Sequence, residues 1–187
     1  MERRTFLKWL THGLGAAFAA TLGAPAALFL IDPRNRPTPP SDFRTVAKRG
    51  ELKIGQPFQA IIRTVRRDAW TLHPNDVIGR VWLIRRDETK IDAYTTICPH
   101  LGCSVNFIAG NDAGDSGFFQ CPCHNGTFDM NCKKKATTPQ GGNNPAPRDM
   151  DSLPVQLVQD DGNPNDQLVQ VKYQNFIQGL AEKIERT

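Results

Sequence analysis

Two short blocks constrain this chain more than anything else in its 187 residues. One reads Cys98-Pro99-His100-Leu101-Gly102-Cys103, and the other reads Cys121-Pro122-Cys123-His124-Asn125-Gly126. Each brings a thiol and an imidazole to a stretch broken by Gly or Pro, and each carries a second cysteine. Two thiolates and two imidazoles arriving in matched pairs are enough to ligate a metal centre, so the fold must deliver both blocks to one place.

The flanking pattern is that of strands. Residues 52–54, 58–65 and 81–84 are short runs rich in branched and aromatic side chains, bounded by Gly, Pro, Asp and Asn. Residues 91–97 follow the turn Asp87-Glu88-Thr89-Lys90 and lead into the first block, and residues 118–120 lead into the second. Further on, 157–159 and 168–173 flank Asp160-Asp161-Gly162-Asn163, a hairpin signal. Many short strands with turns between them predict an all-β antiparallel sandwich or barrel, with both blocks on loop tips held by a sheet. Within the body only residues 176–186 read as helical. His73 before Pro74 reads as a turn, and Cys132 as a free small hydrophobe.

The N-terminus decides the compartment. Arg3, Arg4 and Lys8 precede an apolar run over 14–31, which predicts an export or anchor segment in residues 1–31. As a helix the eighteen residues of that run rise roughly 27 Å, close to the roughly 30 Å hydrocarbon core of a bilayer. Ala24-Pro25-Ala26 has the small-x-small form of a cleavage site, but cutting there leaves a greasy terminus, and a retained single-pass anchor is the expectation. Residues 32–41 hold four prolines and two arginines and predict a hinge linker, with the folded domain over 42–187 and its metal-binding region at about 91–150. Five cysteines then sit outside the reducing cytoplasm, where a disulfide persists.

Charge excludes some partners. A formal net charge of +4 with basic residues scattered among acids gives neither a nucleic-acid stripe nor a polybasic patch, and no nucleic acid is expected as a partner. Lys133, Lys134 and Lys135 form the one basic run and read as solvated loop. No nucleophile with its base, paired-carboxylate constellation or phosphate-binding glycine loop stands out.

The mixed ligand set bears on electron transfer. Four thiolates would place four negative charges on an iron–sulfur core, and two neutral imidazoles in place of two of them raise its potential and leave ring nitrogens that exchange protons. A single zinc ion in a binding module is the competing use of two Cys and two His, although its ligands more often stand two to four residues apart than the one that separates Cys98 from His100.

The combination C-x-H-x-G-C with C-x-C-H resembles the two boxes of the Rieske [2Fe–2S] proteins. The resemblance implies a Rieske-like sandwich with a cluster-binding subdomain, a [2Fe–2S] cofactor, Cys98 and Cys121 on one iron, His100 and His124 on the other, and a disulfide between Cys103 and Cys123. The extra cysteine pair is similar to that of the exported, quinol-linked branch. Gly142-Asn143-Asn144-Pro145-Ala146-Pro147-Arg148 is similar to the proline loop that covers the cluster in cytochrome bc complexes.

What the resemblance implies is the electron-transfer subunit of a quinol:cytochrome c oxidoreductase. His100 and His124 would meet quinol, and the partners would be a b-type cytochrome membrane subunit and a c-type cytochrome within a larger oligomeric complex. The leader resembles a twin-arginine signal, which places the chain in the bacterial cytoplasmic membrane with the cluster domain on the periplasmic side. The alternative with the same cluster is the small subunit of an exported molybdenum oxidoreductase similar to arsenite oxidase. One departure matters: where high-potential members continue His-Gly-Ser-x-Tyr, this chain has Gly126 and Phe128, so two hydroxyl donors are missing unless Thr127 substitutes. A lowered potential, suited to menaquinol, is the expectation.

Overall fold

Four consecutive residues, Val81-Trp82-Leu83-Ile84, are buried on both faces of one strand, and the body is organised round them. The computed structural model describes residues 2–35, 43–67, 71–110 and 116–186. It divides into two units, Met1–Pro40 and Ser41–Thr187.

In the second unit, β1 (Phe43–Lys48) comes first, followed by β2 (Pro57–Arg67), β3 (Leu72–Arg85) and β4 (Ile91–Thr95). The short strands β5 (Asn106–Ile108), β6 (Phe118–Cys121) and β7 (Gly126–Phe128) come next, then β8 (Ser152–Leu153), β9 (Val155–Asp160) and β10 (Asn163–Lys172). They form three sheets, with orders β1-β10-β9, β2-β3-β4-β8 and β5-β6-β7, and every ladder between named strands is antiparallel.

Strand alternation divides the buried side chains of β3 between two cores. Val81 and Leu83 join Ala60, Ile62, Ala93 and Leu153 against Ala47, Val169 and Val171 of the first sheet, which is the sandwich. Trp82 and Ile84 face the other way, into Val105, Phe119, Phe128, Cys98 and Cys121. The Trp82 indole Nε1–H donates to Val105 O at 3.0 Å, and the ring meets Phe119 edge-on at 5.4 Å between centroids. Burial of each such side chain is worth about 1.5–3 kcal/mol, so one strand carries both the sandwich and the smaller unit that bears the ligand loops. The antiparallel sandwich with its β subdomain is therefore the observed fold class.

The predicted turns form for the expected reasons. Asp161-Gly162 closes β9 onto β10. Asp87 Oδ1 accepts from the N–H groups of Thr89 and Lys90 and from Thr89 Oγ1, which closes β3 onto β4.

Three expectations fail. Residues 52–54 form no strand: they follow a short 3-10 turn, and only Ile54 makes an isolated bridge, to Arg85. Residues 176–186 are not helical: Phe176 pairs with Glu185, and Ile177 N–H donates to Ile184 O at 2.9 Å, so the segment is a closed loop. Burial of Phe176 in the sandwich core and a left-handed Gly179 (φ 81°) outweigh the local helical pattern. His73 is not in a turn either, because β3 begins at Leu72. Pro74 is tolerated there because the register skips between the pairs Thr64↔Asp76 and Arg66↔His73, and no ladder donor is required of it.

The first unit is α1 (Arg3–Asn35). Within it, Arg3–Ile31 holds an eighteen-residue window of mean hydropathy 1.9 and is long and apolar enough to cross a membrane. Leu14, Phe18, Leu22 and Phe29 are all exposed, and a helix with its backbone bonds satisfied internally is what lipid accepts. The helix continues through Pro33 to Asn35, four residues into the expected hinge, where the missing proline N–H costs a single bond near the helix end. The remainder of that hinge, residues 36–41, lies outside the described residues.

Candidate metal centre

Both blocks fold as tight loops next to strand pairs. Cys98 N–H donates to Cys103 O at 2.7 Å, and Gly102 N–H to Cys98 O at 3.0 Å. Gly102 takes a φ of 84°, a conformation open to glycine without strain, and the bridge Ile97↔Ser104 seals the base. The second block is the tip of the β6–β7 hairpin, closed by the pair Cys121↔Gly126. Asn125 sits there at φ 60°, its side-chain oxygen accepting from Gln120 Nε2 at 3.3 Å. The disulfide Cys103–Cys123 joins the two tips across 20 residues of sequence with a Cα–Cα distance of 6.6 Å, so the pairing implied by the resemblance is present.

The four remaining candidates gather as two chemically distinct pairs. Cys98 and Cys121 are 1% and 2% exposed and share one buried cluster. Burial, with Cys121 adding to it, pushes the Cys98 thiol up to about 12, while the N–H groups of His100 and Leu101 directed at its sulfur oppose the shift. A metal would therefore displace a proton here and inherit two ready-made N–H donors to sulfur. On the outer side the His100 and His124 rings stand edge to face, 4.9 Å between centroids, His124 exposed and His100 half-buried. Sulfur lies inside and nitrogen outside.

This donor set fits a two-iron core. A lone tetrahedral ion needs four donor atoms around one point. Among the described residues, the ligand atoms that do crowd within 4.8 Å of one another are those of Cys103, Cys121 and Cys123, two of which are consumed by the disulfide. A thiol pair and an imidazole pair suit instead a core with a metal at each end.

The third wall is the proline loop. Asn144 is buried, its Nδ2 donating to Thr127 O at 2.6 Å and Lys135 O at 2.9 Å while its Oδ1 accepts from Ala146 N–H at 3.0 Å. At the other end Arg148 makes a two-pronged ion pair with Asp151, both contacts 2.8 Å, with side chains only 8% and 4% exposed. Sequence reading singled out this loop but not these two struts, which depend on the carbonyls of Thr127 and Lys135 for one and on the buried Asp151 carboxylate for the other. Cys132 is free, as expected, and buried, and burial pushes its thiol well above the ordinary range. Lys133 to Lys135 are exposed; Lys133 pairs with Asp149 at 2.8 Å and the Lys135 ammonium stands over the Phe118 ring.

The question left open at Thr127 has an answer. Its hydroxyl donates to Asn125 O at 2.8 Å, so the proton is committed to the hairpin backbone. Phe128 is fully buried and offers carbon where a hydroxyl would stand.

Comparison with known proteins agrees with this geometry. The family model for the Rieske [2Fe-2S] domain matches residues 46–154, more than half of the chain. The menaquinol:cytochrome c reductase iron–sulfur subunit of Bacillus subtilis (strain 168) is 32% identical over 140 residues, covering 74% of this chain and 80% of the relative. The subunit of the same description from Geobacillus thermodenitrificans is 30% identical over 128 residues, 68% and 73% of the two chains. Among solved structures, dicamba monooxygenase superposes with a TM-score of 0.39 at 25% identity over 70% of this chain, which spans about a third of that enzyme's length. The sulfur pair, the imidazole pair and the disulfide all fall on or within the boxes that the family model spans, and the chain belongs to the Rieske [2Fe-2S] domain family, with a Rieske-type [2Fe-2S] cluster as its cofactor.

Proposed function

We propose that this chain is the electron-transfer subunit of a quinol:cytochrome c oxidoreductase, with Cys98 and Cys121 as ligands of the inner iron and His100 and His124 as ligands of the outer one. The observation that carries the reading is the polarity of the site, with buried thiols behind imidazoles that reach solvent. When bound, the cluster supplies a one-electron acceptor. The chain's own groups do the rest. A ring nitrogen of His124 or His100 accepts a hydrogen bond from the quinol hydroxyl and takes its proton. The disulfide holds the two rings in one orientation, and the loop Pro145-Ala146-Pro147 limits water at the inner side.

The donor is menaquinol. Gly126 and Phe128 leave the sulfur atoms without side-chain hydroxyl donors, and Thr127 donates elsewhere, so the reduced, more negative state gains less stabilisation and the potential is low. The relatives from Bacillus subtilis and Geobacillus thermodenitrificans carry menaquinol in their names. Arg3, Arg4 and Lys8 stay on the cytoplasmic side, α1 anchors the chain, and the body works on the periplasmic side, moving on the hinge between quinol site and a c-type cytochrome. Shortening the hinge by four residues is expected to slow turnover with the midpoint potential unchanged.

Purification from membranes tests the assignment. A b-type cytochrome and a c-type cytochrome co-purifying with the chain support it, and molybdopterin in their place overturns it in favour of a molybdenum oxidoreductase small subunit.

A further inference from the structure

The loop of residues 175–186 lies after the last strand and outside both boxes, yet it bonds to the ligand-bearing region at two points, Pro99 and Arg148, and to β8 of the sandwich at a third. Gly179 N–H donates to Pro99 O at 2.8 Å, inside the first box and one residue before His100. The Arg148 guanidinium, at the end of the proline loop, donates to Leu180 O at 2.5 Å and Ile177 O at 3.0 Å. Lys183 Nζ donates to Ser152 O at 2.7 Å. At its base Phe176 is buried in the sandwich core, and Arg186 N–H closes the loop on Asn175 O at 2.8 Å.

The contacts leave little freedom at the top of the loop. Gly179 occupies the left-handed region at φ 81°, which turns its N–H towards Pro99, and a Cβ there would meet His100 O at 3.7 Å. A Cβ placed on Gly102 would meet the Gln178 side chain at 3.8 Å. The first box has its own internal bonds and the disulfide to the second box. A separate hydrogen-bonded route from it to the end of the proline loop runs through Gly179, the backbone of Leu180 and Arg148. Arg148 is itself fixed by the buried pair with Asp151. The second box is held differently, by Asn144 to Thr127 O. The two ligand loops are thus braced by opposite ends of the segment Asn144-Pro145-Ala146-Pro147-Arg148, and the carboxy-terminal loop completes the brace on the His100 side.

We propose that Gly179 and Arg148 are positioning residues for His100: the carboxy-terminal loop clamps the first ligand loop to the proline loop and so fixes the orientation in which this imidazole meets its electron donor. The inference rests on the electron-transfer reading for what His100 meets, but not for the clamp itself. A fixed loop lowers the ordering cost when the donor binds, and a loosened one raises it.

The test uses the full chain in its membrane complex. Replacing residues 178–183 with an Asn-Gly turn removes Gly179, the Leu180 carbonyl and Lys183. It closes on the bond that Ile177 and Ile184 already make and leaves Phe176 in the core. Amide exchange at residues 100–103 is expected to speed up about tenfold or more while residues 121–126 stay unchanged, and the KM for quinol is expected to rise severalfold at constant midpoint potential. Unchanged exchange at 100–103 overturns the clamp, and so does equal acceleration of both loops with KM unaltered, which marks general destabilisation. Arg148→Lys keeps a charge for Asp151 but cannot reach both carbonyls; it is expected to shift the same two readouts in the same direction, and it decides the matter if the shortened loop does not fold. Paramagnetic resonance of the unmodified complex reads the parent assignment separately, since loss of that assignment leaves the exchange comparison standing.

Discussion

A Cβ placed on Gly126 would lie 3.5 Å from the sulfur of Cys98 and 3.6 Å from the Cβ of Cys121, ordinary contact distances with no clash. The site has room for a serine that the chain does not use. Gly126→Ser is expected to place a hydroxyl beside the inner sulfur atoms and raise the midpoint potential, by on the order of 60 mV for one added donor of about 1.4 kcal/mol. The double variant with Phe128→Tyr is expected to go further, with some loss of stability because Phe128 is already fully buried. Redox titration of both beside the parent checks it, and no upward shift defeats the low-potential reading.

The disulfide closes a loop of 20 residues between the two tips. Replacing both partners, Cys103→Ser with Cys123→Ser, is expected to cost about 3 kcal/mol by chain entropy. It should also hasten loss of the visible cluster absorption on dilution or warming. Denaturant midpoints of the two proteins measure the first effect and bleaching rates the second.

Asn144 is a buried amide with three partners on three segments. Asn144→Ala strands the carbonyl of Lys135 and the N–H of Ala146 and leaves Thr127 O with the Lys135 N–H alone, and is expected to destabilise by about 2 kcal/mol. Faster exchange at residues 121–126 than at 100–103 is the expected signature, the reverse of the pattern for the carboxy-terminal loop.

Acid should weaken the proline-loop corner in a defined window. Burial alone would raise the Asp149 carboxyl, but the Lys133 ammonium and the Lys134 N–H outweigh it and hold it below the ordinary carboxylate value. A depressed folded-state pKa means the stabilisation is present above the unfolded value, about 3.9, and is lost as pH falls through the lower folded value. Asp149→Asn is therefore expected to lower stability at pH 7 and to flatten the acid limb below about pH 4. Denaturant midpoints across pH 3 to 7 compare the two.

Where the determinants are local, the chain reads plainly. The boxes, the Asp161-Gly162 turn and the Asp87 turn each depend on residues within a few positions of one another, and each forms. The fate of residues 176–186 depends on whether Phe176 finds the sandwich core, which no window of that segment contains. The reach of β3 back to Leu72 depends on a register skip opposite Pro74, invisible without the partner strand. Asn144 and Arg148 stood inside a recognised block, but their roles come from carbonyls up to 32 residues away in the chain.

The central claim is that sulfur binds one iron and nitrogen the other. Electron paramagnetic resonance of the dithionite-reduced, intact complex tests it most directly, beside samples of His100→Cys and His124→Cys. The mixed set predicts a rhombic signal with an average g-value below that of an all-thiolate [2Fe–2S] cluster, lost or converted in either variant. An all-thiolate signal, or protein that carries zinc and no iron when isolated from its own membranes, would contradict it.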